Sequence, residues 1–93
     1  MEGKSVYKVP NGKLLKIFLD YNKNGCITEV SITGDFFAYP EEAVEFLEQE
    51  LKGVLLDRKS LLEKINLVVN KNSIQFIGLD AEGLVHGILM CKT

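Results

Sequence analysis

The amino-acid sequence predicts an α+β fold: a three-stranded antiparallel meander followed by about three helices packed on one face. Two observations carry this prediction. In the first third of the chain apolar and polar residues alternate, which is typical of half-buried strands. After Pro40 the apolar residues recur three and four positions apart, which is typical of amphipathic helices. The two patterns occupy separate parts of the chain, so strands and helices are expected to form separate layers.

Polar turns divide the first third of the chain into three strands. Residues 10–12 and 22–25 contain Asn and Gly, which supply the positive φ that tight hairpins need. We therefore expect strands over residues 5–9, 13–21 and 26–33. Alternation places Leu15, Ile17, Leu19 and Tyr21 on one face of the second strand, and Cys26, Thr28, Val30 and Ile32 on one face of the third.

Three helices are predicted in the rest of the chain. Pro40 suits a first helical position, and Gly53 suits the C′ position after that helix. Asp57 and Asp80 can cap the second and third helices. Residues 74–77 form a short apolar segment that is a strand candidate. The predicted apolar stripes are Ala43, Val44, Leu47 and Leu51, then Leu61, Leu62, Ile65, Val68 and Val69, then Leu84, Val85, Ile88 and Leu89.

Composition limits the size and class of the protein. With 93 residues, 46% apolar and 26% charged, the chain is expected to form one domain over residues 1–93. A formal charge of −2 with dispersed basic residues argues against a nucleic-acid partner. No apolar run approaches the roughly 20 residues that a membrane-spanning helix needs, and no signal-peptide pattern opens the chain. We therefore expect a cytoplasmic protein with no membrane partner.

The residues give little support for metal binding or catalysis. Cys26 and Cys91 are too few and too far apart for a metal site, and inert thiols are expected rather than a disulfide. Residues 20–27 match the start of an EF-hand calcium loop, but Ser31 replaces the bidentate Glu, and the flanks alternate like strands. His86 has no acid or nucleophile spaced to meet it, so a surface histidine is expected. We therefore predict no metal site and no catalytic residue.

The first turn carries a candidate phosphate-facing site formed by Asn11, Gly12 and Lys13. Backbone N–H groups of this turn and the Lys13 ammonium could face one anion together. A second interpretation stays open, in which Lys8, Lys13 and Lys16 only protect edge strands from pairing with other chains. Composition alone does not choose between these interpretations.

Gly34, Asp35, Phe36 and Phe37 form a second candidate site, between the third predicted strand and the first helix. Adjacent phenylalanines are unusual in a connection because loops generally face water. Gly34 could supply an unusual φ, Asp35 could bond turn amides, and the phenylalanines could plug the core. The alternative is a partner interface that uses one phenylalanine. We expect at least one of the two to belong to the core.

The two candidate sites occur in a recognisable order. Residues 8–15 read KVPNGKLL, and residues 27–40 are centred on ITGDFF. In this order they resemble the small C-terminal domain of lipoate–protein ligases, well over residues 5–53 and weakly through residues 78–84. One departure is Asn11, where the family often has a further glycine. Asn tolerates the left-handed conformation, so the turn can survive.

The resemblance implies a function for the chain. In the family, a large domain binds lipoate and ATP and carries the catalytic lysine, and the small domain covers that site and supports formation of lipoyl-adenylate. Since the chain opens at Met1 and lacks the large domain, the resemblance implies the accessory subunit of a split ligase, similar to archaeal two-subunit forms. The expected partner is a separate catalytic subunit in a heterodimer, with the lipoyl-acceptor protein as an indirect partner.

The resemblance also distributes the roles. No cofactor is expected on this chain alone, and ATP, Mg and lipoate would be used by the complex. Lys13 would face phosphate, and the segment from Gly34 to Phe37 would dock or position the partner. A stand-alone protein-interaction or regulatory module that shares this fold is the alternative, because a fold does not determine a function.

Overall fold

The computed structural model of the chain describes residues 1–10 and 12–92. The predicted meander and the three helices are confirmed, and a small second sheet is added to them. In chain order the elements are β1 (Glu2–Lys8), β2 (Leu14–Tyr21), β3 (Ile27–Gly34), β4 (Phe37–Tyr39), α1 (Ala43–Glu50), α2 (Arg58–Lys71), β5 (Gln75–Ile77) and α3 (Ala81–Met90).

The meander forms a sheet in the order β1-β2-β3 with antiparallel neighbours. Side chains alternate between the two faces of β2 as predicted, and Leu15, Ile17 and Leu19 on its core face are at most 3% exposed. α1 packs on β3, and α3 packs on β1 and β2, so the helices cover one face of the sheet. The residues of the helices and of the α1 C-cap that complete this core are Ala43, Leu47, Leu51, Leu61, Ile65, Val68, Leu84, Val85 and Ile88.

Asp57 and Asp80 cap α2 and α3 as predicted. The Asp57 carboxylate accepts hydrogen bonds from the backbone N–H of Ser60 at 2.8 Å and from the Ser60 hydroxyl at 2.9 Å. These bonds hold the pKa of the Asp57 carboxyl below its usual range because they favour the ionised form. Asp80 accepts from the N–H of Gly83 at 2.6 Å. α2 and α3 therefore each begin where a side chain satisfies an otherwise free N–H group.

A bulge separates the second turn from the rest of β3. The register shifts between Asp20 and Tyr21, which pairs with Ile27, so Thr28 is the extra residue. The Thr28 hydroxyl donates to the backbone oxygen of Asp20 at 3.0 Å. The prediction that Cys26 and Thr28 share a face with Val30 and Ile32 is therefore wrong, because the bulge buries Ile27 instead. The core-facing residues of β3 are Ile27, Val30 and Ile32.

The first helix begins later than its sequence pattern indicates. Pro40 lies before the helix, a turn follows, and Ala43 is the first helical residue. The Pro40 carbonyl accepts from the Ala43 N–H at 2.9 Å, so the proline belongs to the entry into the helix rather than to its first turn. Gly53 has φ 86° but lies two residues beyond the C-cap, Leu51, and so one position past C′.

The second sheet joins the segment after the corner to the predicted strand candidate near residue 75. β4 and β5 pair antiparallel, with Phe37 opposite Ile77 and Tyr39 opposite Gln75. We call this two-stranded sheet the ribbon. The sequence pattern predicts a connection over residues 37–39, so only one of the two strands was predictable.

The cysteines are free thiols, as expected. Cys91 is buried, and its thiol donates to the Ser5 hydroxyl oxygen at 3.4 Å. Burial raises the pKa of the Cys91 thiol, which keeps it neutral and unreactive. Over residues 1–10 and 12–92, no helix is long and apolar enough to cross a membrane.

Candidate functional site

The structure brings the first turn and the Gly34–Phe37 corner together at one end of the sheet. Leu14 follows the turn directly, and its carbonyl accepts from the Asp35 N–H at 3.0 Å. The Lys13 N–H donates to the Gly78 carbonyl at 3.0 Å. Three segments that are far apart in sequence therefore meet at the start of β2: the turn, the corner and the residue after β5.

Gly78 is the residue at this junction that sequence analysis did not assign to the site. It has φ 86°, and an added Cβ would lie 2.6 Å from Cγ of Lys13 and 3.7 Å from Cβ of Phe36. The aliphatic part of the Lys13 side chain therefore lies directly over this glycine. The available sequence signal was a glycine just after a short apolar strand, a position that often marks a close approach of backbone or side chain.

The predicted phosphate-facing residues have different positions in the turn. Lys13 is exposed, whereas Gly12 is half-buried, with its N–H donated to the Val9 carbonyl at 2.8 Å. The backbone N–H groups of Gly12 and Lys13 both donate to carbonyl groups within the protein. Of the three donors in these two residues, the Lys13 ammonium is therefore the one that extends to solvent. Asn11 lies outside the described residues.

Gly34 is required at the corner for two reasons. Its φ is 155°, a backbone conformation that residues other than glycine rarely adopt. An added Cβ would also lie 2.3 Å from the Leu14 carbonyl oxygen, far inside contact distance. The Asp35 side chain is exposed, and among residues 1–10 and 12–92 no hydrogen bond of its carboxylate is found. The corner is therefore fixed by backbone hydrogen bonds and by Gly34 rather than by the Asp35 carboxylate.

The two phenylalanines of the corner differ in environment: one packs against the core and the other is exposed to solvent. Phe36 is half-buried and packs against the core, as expected for one of the pair. Phe37 is 65% exposed. Its neighbours on the same face of the ribbon are Tyr39 at 56% and Ile77 at 57% exposure, while Ala38 and Phe76 are half-buried on the other face.

We call Phe37, Tyr39 and Ile77 the ribbon surface. Single exposed apolar residues are normal on a protein, but three large ones adjoining on one small sheet form a patch typical of a contact surface. The ribbon surface lies next to Lys13, because β5 leads directly into Gly78. An exposed cation and an apolar patch therefore share one end of the molecule.

The remaining candidates from the sequence lie apart from this junction. His86 is exposed on α3, with its ring centroid 4.4 Å from that of Tyr7. The calcium-loop lookalike is a hairpin turn between strands, in which Asn22 Oδ1 accepts the N–H groups of Asn24 and Cys26, each at 3.0 Å. In the described part of the chain, no group of three or more His, Cys, Asp and Glu residues could hold a metal ion.

Comparison with known proteins gives consistent matches. Lipoate-protein ligase A subunit 2 of Thermoplasma acidophilum is 38% identical over 56 residues, which are 60% of this chain and 52% of that protein. The matched segment thus spans about half the length of this relative. A chain in the solved structure of an archaeal lipoylation system, a bi-partite lipoate protein ligase and its E2 lipoyl domain from Thermoplasma acidophilum, matches with a TM-score of 0.82. It is 25% identical, and the match covers 95% of this chain and 94% of that one.

A family model covers most of the chain. It is described as Bacterial lipoate protein ligase C-terminus and matches residues 8–88. This range includes the turn, the corner, the ribbon and Gly78, which are the parts that meet at the junction. The resemblance seen in the sequence is thereby confirmed: the chain belongs to the family of lipoate protein ligase C-terminal domains.

Proposed function

We propose that the chain is the accessory subunit of a two-subunit lipoate–protein ligase. It acts with a separate catalytic subunit in the ATP-dependent activation of lipoate to lipoyl-AMP during protein lipoylation. The observation that carries the proposal is the junction itself, where an exposed lysine and an exposed apolar patch adjoin on a domain of this family. ATP, Mg and lipoate belong to the complex, and the location of this ATP-dependent complex is cytoplasmic.

The chemistry explains why an accessory subunit is useful. When the lipoate carboxylate attacks the α-phosphorus of ATP, a mixed anhydride forms and pyrophosphate leaves with the bonding electrons. The developing negative charge needs cations, and the anhydride needs protection from water. A small domain can supply both by covering the site on the catalytic subunit, without contributing a nucleophile of its own.

We assign the ribbon surface to the contact with the catalytic subunit. Phe37, Tyr39 and Ile77 expose apolar area that a partner would remove from water, and burying one such side chain fully stabilises by about 1.5–3 kcal/mol. Aromatic residues are also enriched among the residues that dominate binding energy at interfaces. Gly34 and Phe36 act indirectly here, because they hold the start of the ribbon in place.

We assign Lys13 to the phosphate groups of the bound nucleotide. Its stem is held over Gly78, which reduces the rotamer freedom lost when the ammonium meets an anion. Gly12 precedes it in the turn and is half-buried there. In this arrangement the docked ribbon surface brings the Lys13 ammonium towards the active site of the catalytic subunit.

The test of the function is reconstitution of lipoate activation. The chain is mixed with its catalytic subunit, lipoate and MgATP, and lipoyl-AMP formation is followed with each subunit alone as reference. We expect the pair to form lipoyl-AMP much faster than the catalytic subunit alone. An equal rate with and without the chain would overturn the proposal and favour the stand-alone interaction module.

Two matched pairs of variants test the assigned surfaces. Lys13→Ala should lower the adenylation rate about tenfold or more with little change in subunit affinity, whereas Lys59→Ala, an exposed lysine on α2, should change neither. Phe37→Ser should weaken subunit binding about thirtyfold, whereas Leu67→Ser, at 58% exposure on α2, should not. Equal effects within either pair would remove that assignment.

A further inference from the structure

Gly78 links the ribbon to the first turn through close backbone contacts. It follows Ile77, the last residue of β5, and its carbonyl accepts the N–H of Lys13 at 3.0 Å. An added Cβ on Gly12 would lie only 2.7 Å from the same carbonyl oxygen. The backbone of Gly78 therefore packs tightly against two successive residues of the turn.

The neighbours of Gly78 in the chain are fixed on both sides. On the side of the ribbon, Ile77 pairs with Phe37. On the other side Leu79 is buried, and Asp80 caps α3. Because strand pairing, burial and a helix cap hold these neighbours, Gly78 presents a fixed stretch of backbone to the side chain that lies on it.

The aliphatic stem of Lys13 occupies the space that a side chain at position 78 would need. An added Cβ would lie 2.6 Å from Cγ and 3.3 Å from Cβ of Lys13, whereas Cβ of Phe36, at 3.7 Å, would be in ordinary contact. Lys13 is therefore the neighbour that would have to move. Since Cγ is close to the backbone end of the lysine side chain, its displacement would redirect the whole stem and the ammonium at its tip.

The backbone conformation of Gly78 does not by itself explain this contact. Gly53 has the same φ of 86°, yet among the described residues nothing lies within 4 Å of a Cβ added there. The two glycines therefore share one backbone conformation and differ in what lies over them. An alanine at either position has the same backbone strain, but only at position 78 does it also meet a side chain.

A lysine ammonium stabilises developing charge only when it is held in the right place. The Lys13 side chain is exposed, and a long lysine stem loses rotamer freedom when its ammonium meets an anion. A stem that already lies on a fixed backbone has fewer rotamers to lose. Because electrostatic catalysis depends on groups that are oriented in advance, the platform under the stem affects the rate of the reaction.

We propose that Gly78 is a positioning residue for adenylation, which holds the Lys13 stem so that docking of the ribbon surface places the ammonium at the phosphate groups of ATP. This inference rests on the proposed function. In the reaction, a lipoate carboxylate oxygen bonds to the α-phosphorus, the bond from that phosphorus to the bridging oxygen breaks, and pyrophosphate leaves with the electron pair. Lys13 contributes its charge, and Gly78 acts through Lys13.

The test compares variants of the chain in the complete complex. Gly78→Ala puts a Cβ against the stem, and Gly53→Ala is the control with the same φ and no contact. Gly78→Asn is a milder variant, because Asn tolerates a positive φ while its Cβ still meets the stem. The double variant Lys13→Ala/Gly78→Ala removes the Cγ that the new Cβ would meet.

Four readouts separate positioning from a merely structural role. They are kcat for lipoyl-AMP formation, affinity for the catalytic subunit, circular dichroism of each variant, and hydrogen exchange at the Lys13 amide in the chain alone. The amide reports on the contact without any substrate, because it donates to the Gly78 carbonyl.

We expect Gly78→Ala to lower kcat about fivefold and to speed exchange at the Lys13 amide, with subunit affinity within about twofold. Gly78→Asn should change kcat in the same direction, and Gly53→Ala should leave all of these values within about twofold. The double variant should be no slower than Lys13→Ala alone, because a stem that is absent cannot be misplaced. Two independent roles would instead multiply to a loss of at least about fiftyfold.

Three outcomes would overturn the inference. Equal kcat values for Gly78→Ala and Gly53→Ala would remove the role, and a double variant slower than Lys13→Ala would show that Gly78 does not act through Lys13. A loss of subunit affinity without a loss of kcat would assign Gly78 to docking. Failure of the proposed function is a different result, since the unmodified chain would then not raise lipoyl-AMP formation at all.

Discussion

The helix-covered face of the sheet and the ribbon use apolar residues in opposite ways. Leu15, Leu19 and Ile65 are 0% exposed, and each is enclosed by side chains of both layers. Phe37 and Ile77 adjoin on the ribbon, yet each keeps more than half of its surface in water, at 65% and 57% exposure. The free energy of unfolding should therefore depend on the first region, and association with another subunit on the second.

Truncation of one large apolar side chain in each region separates the two roles most strongly. Ile65→Ala should lower the free energy of unfolding by about 2–5 kcal/mol, because it removes buried methylene groups and leaves a cavity. Phe37→Ala should change it by less than about 0.5 kcal/mol, as is usual for surface positions. Urea unfolding followed by circular dichroism measures both. A comparable cost for the two variants would mean that the ribbon surface is part of the core.

Gly34 links the two regions, and its substitution should have the next largest effect. Gly34→Ala should cost about 2–3 kcal/mol, because the new Cβ meets the Leu14 carbonyl at a φ of 155°. Gly53→Ala is the matched control: φ is also positive, at 86°, but nothing lies within 4 Å of the added Cβ. The control should cost only about 1 kcal/mol. Equal costs would show that backbone strain alone, and not the close approach, determines the need for glycine.

Glu48 ties α1 to the free edge of β3 and should contribute less than Gly34. Its Oε2 accepts from the Ile32 N–H at 2.8 Å, on the edge away from β2. Glu48→Ala should lower the free energy of unfolding by about 1 kcal/mol and speed hydrogen exchange at the Ile32 amide. Glu48→Gln keeps an acceptor and should lose less. Unchanged exchange in the alanine variant would contradict this role.

The parts of the fold that were predictable from sequence depend on neighbours in the chain. The caps at Asp57 and Asp80 use an N–H three residues away, and the core face of β2 follows from strict alternation. The bulge at Thr28 was not predictable, because it depends on how the partner strand pairs across the turn. Local rules describe an element well until a second element shifts its register.

The candidate site shows the same division. The turn and the corner were each visible as sequence motifs, and the resemblance linked them by their order. Their contact was not visible, because it depends on Gly78, which β5 brings against Lys13. Only β5 of the two ribbon strands was predicted, because each strand has three residues, too few for a periodic pattern. In addition, Phe37 pairs with Ile77, which is 40 positions away in the sequence. Exposure of Phe37 rather than Phe36 follows from that pairing.

The smallest expected effect is a dependence of stability on pH that belongs to the helical layer alone. The pKa of Asp57 is lowered in the folded chain because Ser60 donates two hydrogen bonds to the ionised carboxylate. A lowered pKa means that this stabilisation is present above the unfolded pKa and is lost as the pH falls through the folded pKa. The advantage of the unmodified chain over Asp57→Asn should therefore be constant near neutral pH and shrink as the pH falls below about 4.

Urea midpoints measured across this range test the assignment to Asp57. Ser60→Ala removes the hydroxyl donor but keeps the backbone one, so it should reduce the pH dependence without abolishing it. The ribbon surface has no ionisable group apart from the Tyr39 phenol, so affinity for the proposed catalytic subunit should not follow the Asp57 titration. An advantage over Asp57→Asn that stays constant down to about pH 2 would show that the cap acts through its shape and not through its charge.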